Sequence, residues 1–461
     1  MIIDIEQDFN KLNVSYINFE GNLRLKEIPI PKEEKFEWVY TKPNQKKDDE
    51  FMSWDGKPVT KKKTKFLNKY RIEEFLINQP EQVKKDLYAR NEPKMFFCDI
   101  EVEITSDGFP HAHLAKNKVT AIAFCTGKKM MVLGTRKLTA SEIKKTENQI
   151  NEHFKDHYDI SFQYIYFKNE YDMLYSFMKK AIHKMPLITG WNFVGFDWQY
   201  LVNRCKRLGI DPAISSPTNK LHRKEELPLH RMVVDYLDIY KKWDRMVSVK
   251  ENNSLDFVGK AVLGIQKIKY EGSLQDLYEQ DFQKYIFYNA VDTFLVQLIH
   301  EKLLTMNTYT SLINTVGVEA IKAFSPINMT ETVMVREFYK RKRVIVRNKK
   351  SKGEKEKYEG AFVFKPVPGM YEWLGSFDFA SLYPSIMRQW NISPESYLGN
   401  FSEDEEVPSE KYIRTVTGAC FDATQDSVFR TILTNYYNER KESKNKMFEI
   451  ENEIEELKKY L

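Results

Sequence analysis

The run MFFCDIEVEI sets Asp99 and Glu101 two residues apart among strong β-formers. On a strand, positions i and i+2 leave the same face, so both carboxylates point one way with Phe97, and Ile100 and Val102 point the other. Two acids on a buried face are costly unless a cation neutralises them. A third acid, Asp197, closes NFVGFD at a loop-to-helix junction behind an apolar run. A fourth, Asp292, follows Tyr288 by four residues in a helical stretch, which puts phenol and carboxylate on one face. Oxygen donors of this kind suit hard divalent ions, Mg2+ or Mn2+, with water and a substrate phosphate completing the shell. Two such ions could activate water, hold a phosphodiester and stabilise its leaving oxygen. Taken singly, each acid also reads as a turn former or a surface helix charge; their order and separation give them weight together.

A second kind of site is suggested by GSFDFASLYPSIMRQ, where a lone carboxylate, Asp378, sits between two phenylalanines and before a turn closed by Pro384. Phosphate chemistry on metals usually wants two or more acids, so Asp378 calls for a companion. Further on, Arg440 and Lys444 are four apart on one helical face, suited to phosphate contact and equally to ordinary solvation.

The elements that must position these groups can be read from periodicity. Residues 1–94 mix short β-like runs with lysine-rich turns (Lys61, Lys62, Lys63, Lys65) and a helical stretch interrupted at Pro80. From Met95 to about 308, strands (MFFCDIEVEI, KVTAIAFC, MMVLG, FQYIYF, PLITG) interleave with helices, the last helical run being SLQDLYEQDFQKYIFYNAVDTFLVQLIHEKLL, and this argues for an α/β layer. NKLHRKEELPLHR reads as a charged surface loop, and KRKRVIVRNKKSKGEKEK, with ten Lys/Arg against two Glu, as a basic connector. YEGAFVFKPVPGMYEWLGSFDFASLYPSI reads as strand, turn and strand. The final segment from Thr431 reads as one long helix, with Met447, Ile450, Ile454, Leu457 and Leu461 forming an apolar seam that needs a partner.

Four scattered cysteines with no Cys-x-x-Cys pair argue against a zinc site or a disulfide framework. With 42% hydrophobic and 30% charged residues, no apolar run of membrane length and an acidic start, the expectation is a soluble, cytoplasmic protein of several domains. A net charge of +5 does not by itself point to nucleic acid.

Taken in order, DIE, then N-x-x-x-F-D, then Y-x-x-x-D resemble the three motifs of the proofreading 3′→5′ exonuclease domain. D-x-x-S-L-Y-P-S-I, with Asp378, Ser381, Leu382, Tyr383, Pro384, Ser385 and Ile386 in place, resembles motif A of the family B DNA polymerases. Tyr358-Glu359-Gly360-Ala361 looks like the element between the two sites, and the whole chain is similar to the T-even phage branch, least clearly over its first fifty residues. The resemblance implies an α/β and α+β multidomain chain. Its parts would be an N-terminal β-rich domain (1–94 plus 309–350), an RNase H-like exonuclease domain (95–308), a partial ferredoxin-like palm (351–425) and the first helix of partial helical fingers (426–461). By position, Asp99, Glu101, Asp197 and Asp292 would hold the exonuclease metals, two per active site, and Tyr288 would orient the attacking water or the scissile phosphate. Asn192 would lie near the primer end. Phe193 and Phe196 would be stacking surfaces or, on the plainer reading, core. Asp378 would bind the polymerase metals with the Phe379 backbone. Ser381, Leu382, Arg440 and Lys444 would meet the triphosphate of a dNTP, and Tyr383 would lie under the sugar and exclude a 2′-hydroxyl. Tyr358 and Gly360 would contact DNA.

The chain also departs from the family. Motif B (Lys-x-x-x-Asn-Ser-x-Tyr-Gly) and motif C (Asp-Thr-Asp) do not occur among these residues. The expectation is therefore the N-terminal portion of a phage replication polymerase. A second chain would carry motifs B and C and, with them, any contact to the replisome clamp. Primer–template and single-stranded DNA are the expected partners, with no membrane. In the T-even branch a longer hairpin follows the second exonuclease motif; here NKLHRKEELPLHR stands in its place. A free-standing 3′→5′ exonuclease and a non-catalytic RNA- or DNA-binding regulator are the other two readings.

Overall fold

A computed structural model describes residues 1–105, 108, 110–244, 252–346 and 362–460. Tyr358, Gly360 and most of the basic connector lie outside the described residues. The chain divides into two compact units, one of residues 1–31 and 79–329 and one of 32–78 and 330–461. This grouping differs from the boundary expected at residue 94, because 1–31 pack with the sheet unit and 32–78 with the C-terminal segment.

The first unit is built on a six-stranded mixed sheet. Its spatial order is Ser161–Tyr166, Lys129–Gly134, Val119–Thr126, Met95–Val102, Leu187–Gly190 and Met232–Asp235. The middle three strands are antiparallel, and the strands outside them add in parallel on both sides. The alternation expected in MFFCDIEV is realised. Phe97 joins the core under the long helix Phe282–Leu303, and Cys98, Ile100 and Val102 join the opposite core with Trp198 and Leu201 of the helix Trp198–Arg207. The sheet is thus covered on both faces, as an α/β layer requires.

The expected final helical run of this region is two helices, Leu274–Gln280 and Phe282–Leu303. Asp281 separates them because its side chain accepts from Lys284 N (3.0 Å), restarting the helix with a cap. NKLHRKEELPLHR is more than a surface loop. It doubles back through a Leu221–Pro228 bridge, and His230 is wholly buried, donating its backbone N–H to Asp4 (2.9 Å) on the N-terminal strand Ile2–Gln7.

In the second unit, the strands Phe36–Tyr40 and Val59–Lys63 pair antiparallel, so Lys61, Lys62 and Lys63 lie in a strand and not in a turn. Pro80 separates two helices, Lys69–Ile77 and Glu81–Leu87, as its missing N–H demands; the second of these belongs to the first unit. A small antiparallel sheet, ordered Tyr397–Asn400, Ala419–Asp422, Tyr412–Arg414, precedes the 31-residue helix Val428–Lys458. Buried Asn391 ties the two together: its amide donates to the carbonyls of Asp422 and Gln425, and its oxygen accepts from Ser427 N. No helix among the described residues is long and apolar enough to cross a membrane.

Candidate active site

Asp99 and Glu101 leave the sheet toward the helix Phe282–Leu303, which brings Asp292 down onto them. The ligand-bearing atoms of Asp99, Glu101 and Asp292 all lie within 4.8 Å of one another. Glu101 and Asp292 are buried and Asp99 is half-buried. Asp197 stands next to this cluster and not within it: its Oδ1 accepts from the N–H of Ile100 (3.1 Å), the residue between the two strand acids.

Crowding sets the electrostatics. Burial first and Asp292 second push Asp99 up to about 7, against the pull of Lys267 and Asn289. Burial, then Asp99, raises both Glu101 and Asp197, and burial raises Asp292. Burial and mutual repulsion keep these acids from all ionising together, the condition a divalent cation relieves. Asp292 Oδ1 is buried with no hydrogen-bond partner among the described residues, an orphan acceptor on a member of the cluster. The donor set and that orphan oxygen fit a hard cation.

Two further groups, neither marked by a sequence motif, complete the cluster. Lys267 Nζ lies 2.5 Å from Asp292 Oδ2 and 3.3 Å from the Tyr288 hydroxyl, so it joins the phenol and carboxylate expected to share one face. Asn289 Nδ2 donates to Asp99 Oδ2 (2.8 Å) from inside the long helix. Burial lowers Lys267, but Asp292 and Tyr288 outweigh it and hold the ammonium well above the ordinary lysine range. Tyr288 is raised in turn, by burial and then by Asp292.

Asn192 is exposed in the left-handed region (φ 61°), at the mouth of the turn leading to Asp197. Phe193 corrects the stacking expectation. It is 0% exposed and packs against Trp198, because the wide turn Phe193–Asp197 directs its ring inward, where DNA cannot reach it. Gly190 is needed where this segment leaves the sheet, since a Cβ there would run into the Cys98 carbonyl of the neighbouring strand. Gly190→Ala is therefore expected to cost about 1–3 kcal/mol in denaturant unfolding, by wedging two central strands apart.

The raised carboxylates give a pH signature. Between the unfolded aspartate value of about 3.9 and the folded value of Asp99 near 7, the folded chain holds more protons than the unfolded one. The cluster's contribution to stability therefore falls as pH rises through that window. Thermal unfolding in EDTA should show this decline between about pH 4 and 7, and saturating Mg2+ should flatten it; equal slopes with and without Mg2+ would contradict the cation fit.

Comparison with known proteins identifies the family. Residues 52–250 match the family description "DNA polymerase family B, exonuclease domain" and residues 327–459 match "DNA polymerase family B". The chain belongs to DNA polymerase family B. It is 30% identical over 401 residues to a DNA-directed DNA polymerase of Escherichia phage RB69, an alignment spanning 80% of this chain and 44% of the relative. It is 28% identical over 411 residues to that of Enterobacteria phage T4, spanning 81% and 45%. The DNA polymerase delta catalytic subunit of Dictyostelium discoideum is 26% identical over 324 residues, spanning 63% and 28%. The chain thus spans less than half the length of these curated relatives.

In this family B chain the segment around Asp378 corrects the strand expected before it. Residues 362–379 form no strand, and their side chains are exposed, Trp373 fully and Phe377 to 98%. An apolar run becomes a strand only when a neighbouring backbone takes up its hydrogen bonds, and no described segment pairs with this one. Asp378 and Phe379 are accordingly exposed, and no cluster of three or more metal-ligating side chains among the described residues includes Asp378. Ser381 turns the chain in the left-handed region (φ 53°), and the helix Leu382–Gln389 starts behind it, carrying exposed Tyr383. Arg388 of that helix stacks on Tyr437 of the long helix (4.4 Å), which presents Arg440 and Lys444 to solvent.

Proposed function

We propose that this chain is a 3′→5′ DNA exonuclease and the N-terminal portion of a DNA-directed DNA polymerase. The observation that carries the exonuclease reading is the convergence of Asp99, Glu101 and Asp292 within 4.8 Å, with Asp197 anchored beside them. Divalent ions held by these four carboxylates would lower the pKa of a water and offset the charge of a phosphodiester. The chain's own groups do the rest. Tyr288, fixed by Lys267, is set to hydrogen-bond the attacking water or a phosphate oxygen, and Lys267 supplies a fixed positive charge facing the scissile group. Exposed Asn192 would meet the sugar or base of the 3′-terminal nucleotide.

For synthesis, we assign Asp378 and the Phe379 carbonyl to the polymerase metals. Ser381, Leu382, Arg440 and Lys444 go to the triphosphate, Tyr383 to the sugar, and Tyr358 and Gly360 to DNA. Residues 351–425 would be part of the palm and 426–461 the first fingers helix. The bare apolar run 362–379 and the exposed seam Met447, Ile450, Ile454 and Leu457 support further polypeptide carrying motifs B and C, which would pair with the one and pack a helix on the other. The setting would be the cytoplasm of a phage-infected bacterium.

The test is digestion of single-stranded DNA labelled at its 5′ end by the purified chain. Mg2+- or Mn2+-dependent shortening in single-nucleotide steps is expected. Binding without cleavage under all metal conditions would overturn the exonuclease reading and favour the non-catalytic regulator.

A further inference from the structure

Asp235 was not among the acids the sequence singled out, yet it lies 7% exposed at the end of the sheet strand Met232–Asp235. Its Oδ1 accepts from Asn192 N (3.1 Å), and its Oδ2 accepts from Val194 N (3.0 Å) and more weakly from Gly195 N (3.4 Å). Three backbone donors of one turn, from Asn192, Val194 and Gly195, thus converge on one buried carboxylate. The same turn holds Asn192 in the left-handed region and delivers Asp197 two residues after Gly195, where Asp197 reaches back to the Ile100 N–H between Asp99 and Glu101.

On the exonuclease reading given above, we propose that Asp235 is a positioning residue of that site: it fixes the turn 192–195 and, through it, the carboxylate of Asp197 and the mouth residue Asn192. Charge-assisted bonds from backbone N–H groups are strong and directional, and a wide turn with a left-handed residue has few other ways to hold one conformation. A competing role is on the same side chain. Asp235 Oδ1 also accepts from Leu237 N (2.9 Å) and so caps the helix Tyr236–Trp243. Capping alone would affect stability and leave the metal site unchanged.

Two variants separate these roles. Asp235→Ser keeps a helix cap but is too short to hold the turn, and Asp235→Asn keeps the shape while turning an amide toward the Val194 and Gly195 N–H groups. The readouts are Mn2+ binding followed by electron paramagnetic resonance without DNA, amide hydrogen exchange at Val194 and Gly195, and single-stranded DNA binding in EDTA. Both variants are expected to need roughly tenfold more Mn2+ for half-saturation, to exchange those two amides faster, and to bind single-stranded DNA in EDTA a few-fold more weakly as Asn192 is released. Wild-type Mn2+ affinity in both variants would overturn the proposal, whatever the amides do, and so would unchanged amide exchange. A wild-type chain that binds Mn2+ but leaves DNA intact would sink the exonuclease reading, while the positioning claim would still be decided by the Mn2+ shift.

Discussion

Asp99→Ala and Asp197→Ala are each expected to lower metal-dependent digestion of single-stranded DNA by about a thousandfold, roughly 4 kcal/mol of transition-state stabilisation. Both are clean tests, because among the described residues neither acid is in an ion pair with a cationic side chain: Asp99 accepts from the Asn289 amide and Asp197 from the Ile100 N–H. Relieving their mutual crowding should leave the fold as stable as before or slightly more stable in EDTA, since burial and repulsion raise both groups. Asp292→Ala should abolish digestion equally and behave differently in stability. It strips Lys267 of its partner and leaves a largely buried ammonium uncompensated, a loss of about 2 kcal/mol. Activity of Asp99→Ala within tenfold of wild type would show that the cluster is a structural acid pocket and not the seat of hydrolysis.

Asp378→Ala is expected to abolish nucleotide incorporation, by about a thousandfold or more, in a polymerase that contains these residues together with motifs B and C. Digestion of single-stranded DNA should stay within twofold, because Asp378 and the exonuclease cluster belong to different units. Asp378 is exposed, and a lone carboxylate in water holds a divalent ion weakly, so on the proposed reading a second acid and a water-excluding setting would complete its site. Ile450→Glu together with Ile454→Glu should prevent assembly, since both side chains lie on the exposed seam, Ile450 at 55%. Incorporation that survives Asp378→Ala, or a complex indifferent to the seam substitutions, would refute this part of the proposal.

Much of the exonuclease cluster was legible because it rests on short-range rules. Strand alternation fixes the common face of Phe97, Asp99 and Glu101, and helical spacing sets Tyr288 above Asp292. Lys267 was not legible: it lies in a stretch without periodicity, 25 residues before Asp292, and only the fold brings the two together. Asn289 and Asp235 were hidden for a related reason. Inside a helix, or at a strand end, either residue reads as local chemistry, and its long-range partner is set by tertiary packing. Phe193 shows the converse, a residue placed by resemblance at the DNA and claimed by the core. Around Asp378 the apolar pattern predicts a strand, but a pattern specifies a strand only together with a neighbour that completes its ladder. Lys61, Lys62 and Lys63 went the other way, since cross-strand pairing with Phe36–Trp38 outweighed the weak β-propensity of lysine.

The central claim is that Asp99, Glu101, Asp197 and Asp292 form a divalent-cation site, and direct Mn2+ binding to the metal-free chain tests it without any assay of activity. Titration followed by electron paramagnetic resonance is expected to show saturable binding that approaches two ions when a deoxynucleoside monophosphate is added, strengthens from pH 6 to 8 as Asp99 gives up its proton, and is lost in Asp99→Ala. Binding that is absent in the wild type, or that persists unchanged in Asp99→Ala, would contradict it.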